Sequence, residues 1–333
     1  MKMNILFEFV EGPWGGGNQF LKSLKEALIE MNVYEPKIIN ADVILFNSHQ
    51  CLKKVLKAKK VFQRKTFIHR VDGPITLGRP NSLALDRYIF LLNSCLADGT
   101  IFQSPWSREK CMSAGMHESK FDTVIINAPK PSIFYTKEND VFHAKKRIIA
   151  TTWSTNIKKG FDIYQYLDQK LDFEKYEMVL VGNTPVKFSN IKHIPAVPSD
   201  SLAEIMRQND IFITASVDDP CSNSLIEAMH CGLPVIARNS GGHPFIIKNG
   251  QGVLFNGKED ILKVIEFVVN NEQNKAKMSN LPDIYEIAKQ YYEFCELVVT
   301  NVKTSPRTLS RINYAKISLL GNYLNIRKMI SWR

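Results

Sequence analysis

The 333-residue sequence lacks the features that most directly mark a membrane, secreted or metal-binding protein. No run of apolar residues approaches the length that crosses a bilayer, and Glu8 and Glu11 interrupt the short apolar start. The six cysteines form no CxxC pair, and the seven histidines show no HExxH spacing. We therefore expect a cytoplasmic protein with reduced thiols, without a metal site and without a bound cofactor.

Acidic residues are also absent from the end of the chain, where the last one is Glu296. Seven cations follow it: Lys303, Arg307, Arg311, Lys316, Arg327, Lys328 and Arg333. They account for most of the net charge of +10 and leave +3 for the rest of the chain. This imbalance predicts one basic tail and argues against a nucleic-acid groove, so no nucleic-acid partner is expected.

Short β-branched or aromatic runs alternate with helical patterns along the chain, and 44% of its residues are hydrophobic. Strands are predicted at Asn4–Phe9, Asp42–Phe46, Thr66–His69, Thr100–Phe102, Thr123–Ile126, Ile148–Thr151, Glu177–Val181, Ile211–Ala215 and Pro234–Ala237. Helices are predicted at Asn18–Met31, Ser82–Leu96, Trp106–Ala114, Phe161–Lys170, Asp200–Gln208, Ser222–Cys231, Lys258–Asn270 and Pro282–Val299. This alternation predicts an α/β fold with parallel, doubly wound sheets.

The segment 129–146 interrupts the alternation with two prolines and a charged run, and we place the domain boundary there. The simplest architecture is two Rossmann-like domains, whose parallel sheets face each other across a cleft. The expected domains are residues 1–140 and 147–300, and a basic helical tail follows over residues 301–333.

Two carboxylates, Asp219 and Glu227, surround the start of a predicted helix. Ser222 or Asn223 caps this helix, and Asp219 lies in the loop after a buried strand, where open α/β sheets bind ligands. The free N–H groups of the helix start favour a phosphate, and the Glu227 carboxylate suits the two hydroxyls of a ribose. The pattern indicates a nucleoside diphosphate site with a sugar near Asp219. From the acids alone, a capped helix with two solvated acids remains the alternative.

Together with other stretches, this segment resembles the retaining family 4 glycosyltransferases of GT-B fold. Their E-x7-E pattern corresponds here to Asp219 and Glu227, followed by EAMHCGLPVIA and Ser240-Gly241-Gly242. The resemblance covers most of residues 4–300. It implies that Glu227 holds the donor ribose and that Asp219, one methylene shorter than the family's glutamate, is catalytic beside the donor sugar. The helix start, Asn223, Ser224 and Leu225, then contributes to donor binding.

A second stretch, from Thr152 to Phe161, resembles the family loop in which an arginine and a lysine hold the donor diphosphate. Lys159 corresponds to the lysine, whereas Ser154 stands near the position of the arginine. Lys158 or Arg238 compensates in this interpretation, because a cation stabilises the departing diphosphate without a metal. For Lys159 alone, a solvated loop lysine is the alternative.

Two loops of the first half complete the resemblance. Gly16 and Gly17 belong to a glycine-rich loop after the first strand, and the family places this loop against the donor diphosphate and sugar. His69 follows a strand as well, and the family often has a histidine near the transferred sugar. We list it with Asp219 as a catalytic candidate, and a structural histidine in a turn is the alternative.

Two smaller matches concern the donor pocket. Gly182 and Asn183 end a strand where the family has a glycine-rich turn, and Val197 precedes a helix where family members present backbone to the nucleobase. One departure is Phe245, which stands where the family usually has glutamate.

The resemblance implies a metal-independent hexosyltransferase. It would move a hexose from a UDP- or GDP-sugar to a hydroxyl of a glycan or lipid-linked acceptor, with anomeric retention, in bacterial surface polysaccharide synthesis. Residues 147–300 would bind the donor and residues 1–140 the acceptor. Two alternatives remain open: a sugar-nucleotide epimerase on the same fold, and a non-catalytic module that keeps the nucleotide-sugar site.

The tail combines its cations with many apolar residues, a composition that suits an anionic membrane surface. We therefore expect a peripheral contact with the inner face of the membrane. The alternative is a helix that packs on the first domain. Gly321 and Asn322 are expected to interrupt the helix.

Overall fold

The computed structural model describes residues 1–12, 15–79, 81–136, 144–247, 252–271, 281–302 and 306–330, the last range with side chains up to residue 324. These residues form two compact units. The first unit comprises Met1–Phe9, Leu24–Ile126 and Glu286–Arg333, and the second comprises Val10–Ser23 and Asn127–Tyr285. This division differs from the predicted one, because the glycine-rich loop belongs to the second unit and the C-terminal helices to the first.

The strands and helices alternate along most of the chain. The strands are β1 (Met3–Leu6), β2 (Val43–Asn47), β3 (Thr66–Val71), β4 (Gly99–Phe102), β5 (Asp122–Val124), β6 (Lys146–Thr152), β7 (Tyr176–Gly182), β8 (Lys192–Ile194), β9 (Ile211–Thr214), β10 (Val235–Arg238) and β11 (Gly252–Phe255). The helices are α1 (Gly16–Glu30), α2 (Leu52–Val61), α3 (Ile75–Gly78), α4 (Leu83–Leu96), α5 (Pro105–Ser113), α6 (Phe161–Lys170), α7 (Ser199–Arg207), α8 (Asn223–His230), α9 (His243–Ile246), α10 (Ile261–Asn270), α11 (Ile284–Val302) and α12 (Arg311–Ile330).

The first unit contains a five-stranded parallel sheet in the order β1-β2-β3-β4-β5. Its central strands are buried along their whole length, as apolar runs covered on both faces should be. The order of its strands follows the order of the sequence without a reversal.

The second unit contains a six-stranded parallel sheet in the order β11-β10-β9-β6-β7-β8. The strand β7 pairs with one edge of β6, and β9 pairs with the other edge of β6. The strand order therefore reverses between β6 and β9. At such a switch point the loops after two neighbouring strands diverge and leave room for a ligand.

The predicted α/β class with parallel sheets is confirmed. The sequence interpretation omitted β8, β11, α2, α3 and α9. The helix α2 was missed because five of its ten residues are lysines, which hide the apolar face formed by Val55, Leu56 and Ala58.

The C-terminal helix α12 is continuous through Gly321, so the predicted interruption at Gly321 and Asn322 is wrong. A Cβ on Gly321 would lie 2.6 Å from the Tyr88 hydroxyl oxygen on α4. This glycine therefore permits a close approach of the two helices, and packing outweighs its low helix propensity. Ile317 is fully buried in the same core.

Among the described residues, no helix combines the length and the apolar content that a membrane span requires.

Candidate functional site

The loops after β6 and β9 meet at the switch point of the second sheet through two ion pairs. Lys158 Nζ lies 2.5 Å from Asp218 Oδ2, and Lys159 Nζ lies 3.1 Å from Asp219 Oδ2. Both pairs join the carboxyl ends of neighbouring strands, as the pairing of β6 with β9 requires. The structure thus brings together the two segments that the sequence pattern singled out separately.

Backbone contacts fix the same two loops. The Val217 N–H donates to the Lys158 carbonyl at 2.7 Å. Gly160 adopts a left-handed conformation with φ +80°, and a Cβ there would overlap the Ala215 carbonyl oxygen. Only glycine meets both conditions at this position without strain, so the sequence Lys158-Lys159-Gly160 holds its lysines against the β9 loop.

A third segment, which contains Gly241 and Gly242, contacts the backbone of Asp219. The Gly242 N–H donates to the Asp219 carbonyl at 2.8 Å, and the Cys221 N–H donates to Asp219 Oδ1 at 3.3 Å. Gly241, at φ +63°, passes so close to the Asp219 backbone that a Cβ would overlap it. The glycine pair that the sequence resemblance included therefore serves to position this acid.

The Asp219 carboxyl remains ionised at neutral pH. Burial alone would raise its pKa, but the charge of Lys159, the influence of His243 and the hydrogen bonds from Lys159 and Cys221 lower the pKa below its usual value. A permanently charged carboxylate at the switch point can accept hydrogen bonds from sugar hydroxyls.

The helix α8 begins beside this carboxylate with unused hydrogen-bond donors. Ser222 precedes the helix, yet its side chain makes no capping hydrogen bond. Within the described part of the chain, the N–H groups of Asn223, Ser224 and Leu225 have no hydrogen-bond partner. The Leu225 side chain is fully buried, so its predicted contribution to donor binding is limited to this N–H group. Such a helix start attracts an anion.

Glu227 lies in the middle of α8 and is half-buried. None of the described residues donates a hydrogen bond to its carboxylate. Burial raises the pKa of this carboxyl to about 7. A half-buried acid without a donor is costly to the folded protein, which indicates that a ligand supplies the missing hydrogen bonds.

The glycine-rich loop joins the start of α8. Asn223 Nδ2 donates to the Gly16 carbonyl at 2.8 Å, and Asn223 Oδ1 accepts from Asn127 Nδ2 at 2.6 Å. A Cβ on Gly16 would lie 2.9 Å from Asn223 Nδ2, so this glycine allows the close contact. Gly17 is exposed, and a Cβ there would meet no atom within 4 Å.

The strand end at Gly182 and Asn183 orders the β6 loop. Gly182 has φ +121°, and a Cβ there would overlap the Thr152 carbonyl oxygen. Asn183 Nδ2 donates to the Trp153 carbonyl at 2.6 Å. Val197, the third predicted residue of this region, is half-buried just before α7. Gly182 and Asn183 therefore contact the β6 loop.

The cation that replaces the family's arginine is not evident from the geometry. Ser154 occupies its position, Lys158 is paired with Asp218, and Arg238 lies 3.7 Å from Asp162. Both compensating candidates are thus engaged by nearby carboxylates. Phe245 follows on α9, where it is half-buried.

His69 belongs to the first unit, whereas these residues belong to the second. Its side chain is fully buried, stacks on Phe46 at a centroid distance of 4.2 Å, and lies within 3.1 Å of both the Ser48 carbonyl and Asn93 Nδ2. Burial lowers its pKa to about 3, so it is neutral. A side chain without accessible surface cannot contact a sugar, and the structure favours the alternative of a structural histidine.

Three residues near the site were not among the predicted ones. The Trp153 ring lies beside Gly15, Asn127 positions Asn223, and His243 is fully buried with Nε2 unpaired among the described residues. His243 Nδ1 lies 2.9 Å from the Arg238 carbonyl, so it carries the proton when the ring is neutral. Only Trp153 had a sequence signal, as an aromatic residue directly after a strand.

The comparisons with known proteins agree with this geometry. Residues 156–281 match the family model described as glycosyl transferases group 1. Sulfoquinovosyl transferase SQD2 of Arabidopsis thaliana is 26% identical over 124 residues, which cover 34% of this chain and 24% of that protein. The phosphatidylinositol N-acetylglucosaminyltransferase GPI3 subunit of Saccharomyces cerevisiae is 22% identical over 172 residues, which cover 44% of this chain and 37% of that protein. The aligned stretches therefore span less than half of these relatives.

The structural similarity extends over a larger part of the chain. HepE of Anabaena, solved in complex with UDP-glucose, gives a TM-score of 0.65 at 15% identity over 91% of this chain and 100% of that chain. At this identity the similarity establishes the fold. The predicted resemblance is confirmed: the fold is that of the GT-B glycosyltransferases, and residues 156–281 are similar to the group 1 glycosyl transferases.

Proposed function

We propose that the chain binds a nucleoside diphosphate sugar at the β6/β9 switch point and transfers its hexose to an acceptor hydroxyl with retention, without a metal. One observation carries the proposal: the Lys159–Asp219 pair, the open start of α8 and the unpaired Glu227 carboxylate occur together at the carboxyl edge of one sheet. This set offers a cation, backbone donors and an acceptor, which are the groups that a nucleotide sugar requires.

Each group has one part of the donor to recognise. Lys159 and the N–H groups of Ser224 and Leu225 bind the diphosphate, and Glu227 accepts hydrogen bonds from the ribose hydroxyls. Asp219 then lies beside the hexose. Since Lys159 is 3.1 Å from Asp219 in the free protein, the incoming diphosphate competes with this carboxylate for the lysine.

The reaction exchanges one bond at the anomeric carbon. The bond from this carbon to the diphosphate oxygen breaks, the acceptor hydroxyl oxygen forms the new bond, and the hydroxyl proton passes to the departing diphosphate. Lys159 and the α8 N–H groups stabilise the negative charge that develops on the leaving group. Asp219 orients the sugar, so its contribution is positioning within the site.

The donor and the acceptor are proposed from the relatives. HepE was solved with UDP-glucose, which supports a UDP-sugar as the donor, with a GDP-sugar as the second candidate. The GPI3 relative is a phosphatidylinositol N-acetylglucosaminyltransferase subunit, which supports a lipid-linked acceptor, with a glycan as the other candidate. A role in bacterial surface polysaccharide synthesis follows if the acceptor is such a lipid-linked glycan.

The first experiment is a binding screen of UDP- and GDP-sugars by calorimetry, followed by transfer assays with the sugar that binds. We expect one donor to bind and its hexose to appear on an acceptor with the original anomeric configuration. Conversion of the donor into an epimeric nucleotide sugar would instead identify an epimerase. Tight binding without turnover on any glycan or lipid-linked acceptor would identify a non-catalytic binding module.

A further inference from the structure

Two segments of the first unit contain many cations and no acid. Residues 43–71 include Lys53, Lys54, Lys57, Lys59, Lys60, Arg64, Lys65 and Arg70, and the segment after Glu296 includes seven more cations. The basic character that the sequence assigned to the tail is therefore shared by α2 and the residues that follow it. The structure shows where the two segments lie within this unit.

The helix α12 has two unlike faces. One face packs on α4, where Ile317 is fully buried and Leu320 and Leu324 are partly buried. The other exposes Ile312, Leu319 and Tyr323, with exposed fractions of 68%, 71% and 48%. These three residues are seven and four positions apart, so they lie on one side of the helix. The helix α12 thus packs on the first unit with one face and exposes apolar side chains on the other.

Exposed cations accompany these apolar side chains. Arg311 and Lys316 are exposed beside Ile312 and Leu319 on α12. On α2, Lys53, Lys57 and Lys60 are exposed, and so is Val61 at 62%. The remaining lysines of α2 are engaged elsewhere, since Lys54 lies 2.5 Å from Glu8 and Lys59 lies 3.5 Å from Asp98.

Direct contacts make α2 and α12 neighbours. Lys60 Nζ lies 4.9 Å above the ring of Tyr314. The Leu309 N–H donates to Gln63 Oε1 at 2.8 Å. The start of α12 is anchored further by the Arg307 N–H, which donates to Asp98 Oδ1 at 2.6 Å. The described residues 307–324 of the tail therefore pack on the first unit, and exposed residues of α12 adjoin those of α2.

We propose that the exposed residues of α2 and α12 form a binding surface for an anionic lipid membrane. We call this the α2–α12 surface, defined by Lys53, Lys57, Lys60, Val61, Arg311, Ile312, Lys316, Leu319 and Tyr323. Its lysines and arginines complement anionic headgroups, and its exposed aliphatic and aromatic side chains enter the interface between headgroups and acyl chains. A nucleic acid would engage the cations but would leave the aliphatic side chains exposed to water.

This inference rests on the first unit alone, so it can hold or fail independently of the proposed donor site. The probe is co-sedimentation of the full chain with vesicles of phosphatidylcholine, with and without phosphatidylglycerol. We expect binding only when phosphatidylglycerol is present, and weaker binding at high salt. Equal sedimentation with both kinds of vesicle, or with neither, would overturn the proposal.

A charge-reversal variant tests the location of the surface. Lys53→Glu, Lys57→Glu and Lys316→Glu together change three exposed lysines and should weaken partitioning to phosphatidylglycerol vesicles about a hundredfold. The matched control changes three exposed lysines of the second unit, at the positions Lys170, Lys187 and Lys258. It should lose far less binding, and an equal loss in both variants would mean that net charge alone drives association.

An apolar variant separates a membrane from a nucleic acid. Leu319→Ser should weaken vesicle binding several-fold, whereas Phe267→Ser, which changes a residue of the second unit that is 53% exposed, should not. Fluorescence anisotropy with a DNA duplex gives the opposing readout. Tighter binding to the duplex than to vesicles, unaffected by Leu319→Ser, would overturn the lipid assignment in favour of a nucleic acid.

Discussion

The carboxyl edges of the two sheets differ in whether their polar groups have hydrogen-bond partners. In the first unit these side chains bind one another: Arg70 Nη1 donates to Asn47 Oδ1 at 2.6 Å and to Asp72 Oδ1 at 2.7 Å, and Gln103 also donates to Asp72. Tyr291 completes the set, since its hydroxyl accepts from Arg70 Nε at 3.1 Å. These side chains supply hydrogen-bond partners to one another, and the network stabilises this edge.

In the second unit the corresponding edge keeps polar groups without partners among the described residues. These groups are the Glu227 carboxylate, His243 Nε2 and the first N–H groups of α8. Folding of this unit leaves them partly desolvated, which costs free energy that a ligand can recover. Polar side chains at a strand end therefore do not by themselves mark a ligand site, whereas polar groups without a hydrogen-bond partner do.

The largest expected effect follows from removing the cation of the second edge. Lys159→Met should slow transfer about 10²–10³-fold, since the leaving diphosphate loses a preorganised charge. The neighbour Lys158 provides the control, because it pairs with Asp218 and Lys158→Met should cost less than about tenfold. Steady-state kinetics with a UDP-sugar measures both variants, and equal losses would contradict the assignment of Lys159.

Glu227→Gln should stabilise the folded protein and weaken its affinity for the donor. The pKa of Glu227 is raised to about 7 from 4.5, so the ionised form costs the folded state increasingly between these two pH values and fully above them. Removing the charge should raise the free energy of unfolding at pH 8 by as much as about 3 kcal/mol. Urea unfolding at pH 8 and at pH 4 measures this, and the gain should vanish at pH 4.

The same variant should lose about tenfold in affinity for UDP, because an amide oxygen replaces a carboxylate that accepts from the ribose. Glu266→Gln changes an exposed acid of the same unit and serves as the matched control. A variant that loses stability and keeps its affinity would show that Glu227 belongs to the protein's own packing.

A substitution in the first unit should show the opposite behaviour. His69→Ala removes a buried ring with its hydrogen bonds and stacking contact, and it should lower the free energy of unfolding by about 2 kcal/mol. Donor affinity of the folded variant should not change. If instead kcat fell while the free energy of unfolding stayed the same, the result would support a catalytic role for His69.

Donor affinity should depend on pH through Glu227. Its carboxyl has a pKa of about 7 and must be ionised to accept from the ribose, so UDP affinity should fall about tenfold between pH 8 and pH 6. Calorimetry across this range measures the change, and Glu227→Gln should abolish it. A wild-type affinity that rises toward low pH would contradict the assigned protonation state.

The smallest expected effect is that of a chelator. We predict that EDTA leaves turnover unchanged, because Lys159 and the α8 N–H groups supply the positive potential for the diphosphate. Loss of turnover in EDTA, with recovery on addition of magnesium or manganese, would contradict this proposal.

The sequence predicted what depends on local pattern. The apolar runs of β6 and β9, the loop lysines and the start of α8 were all placed within a few residues. Asp219 and Glu227 were identified by their spacing around a helix start, and their positions at the carboxyl edge follow from strand-helix alternation. The pattern did not reveal the strand order, and so it could not show that Lys159 pairs with Asp219.

Other features required tertiary context. The buried His69 ring lies 3.1 Å from Asn93 Nδ2 on α4, a partner 24 residues away in the chain. Gly321 continues a helix because Tyr88 packs against it. The lysine-rich α2 forms because three small or aliphatic residues on one side enter the core. In each case a long-range contact outweighs the local propensity.

The most direct test of the donor site is hydrogen exchange, measured by mass spectrometry on the full chain with and without UDP, and separately with GDP. We expect slower exchange in peptides that contain residues 153–160 and 218–227, and Glu227→Gln should be protected less at the same nucleotide concentration. Exchange around Asn47, Asp72 and Gln103 should remain unchanged by either nucleotide. Protection confined to those three positions, with none at residues 153–160 and 218–227, would show that the donor does not bind at the second unit's switch point.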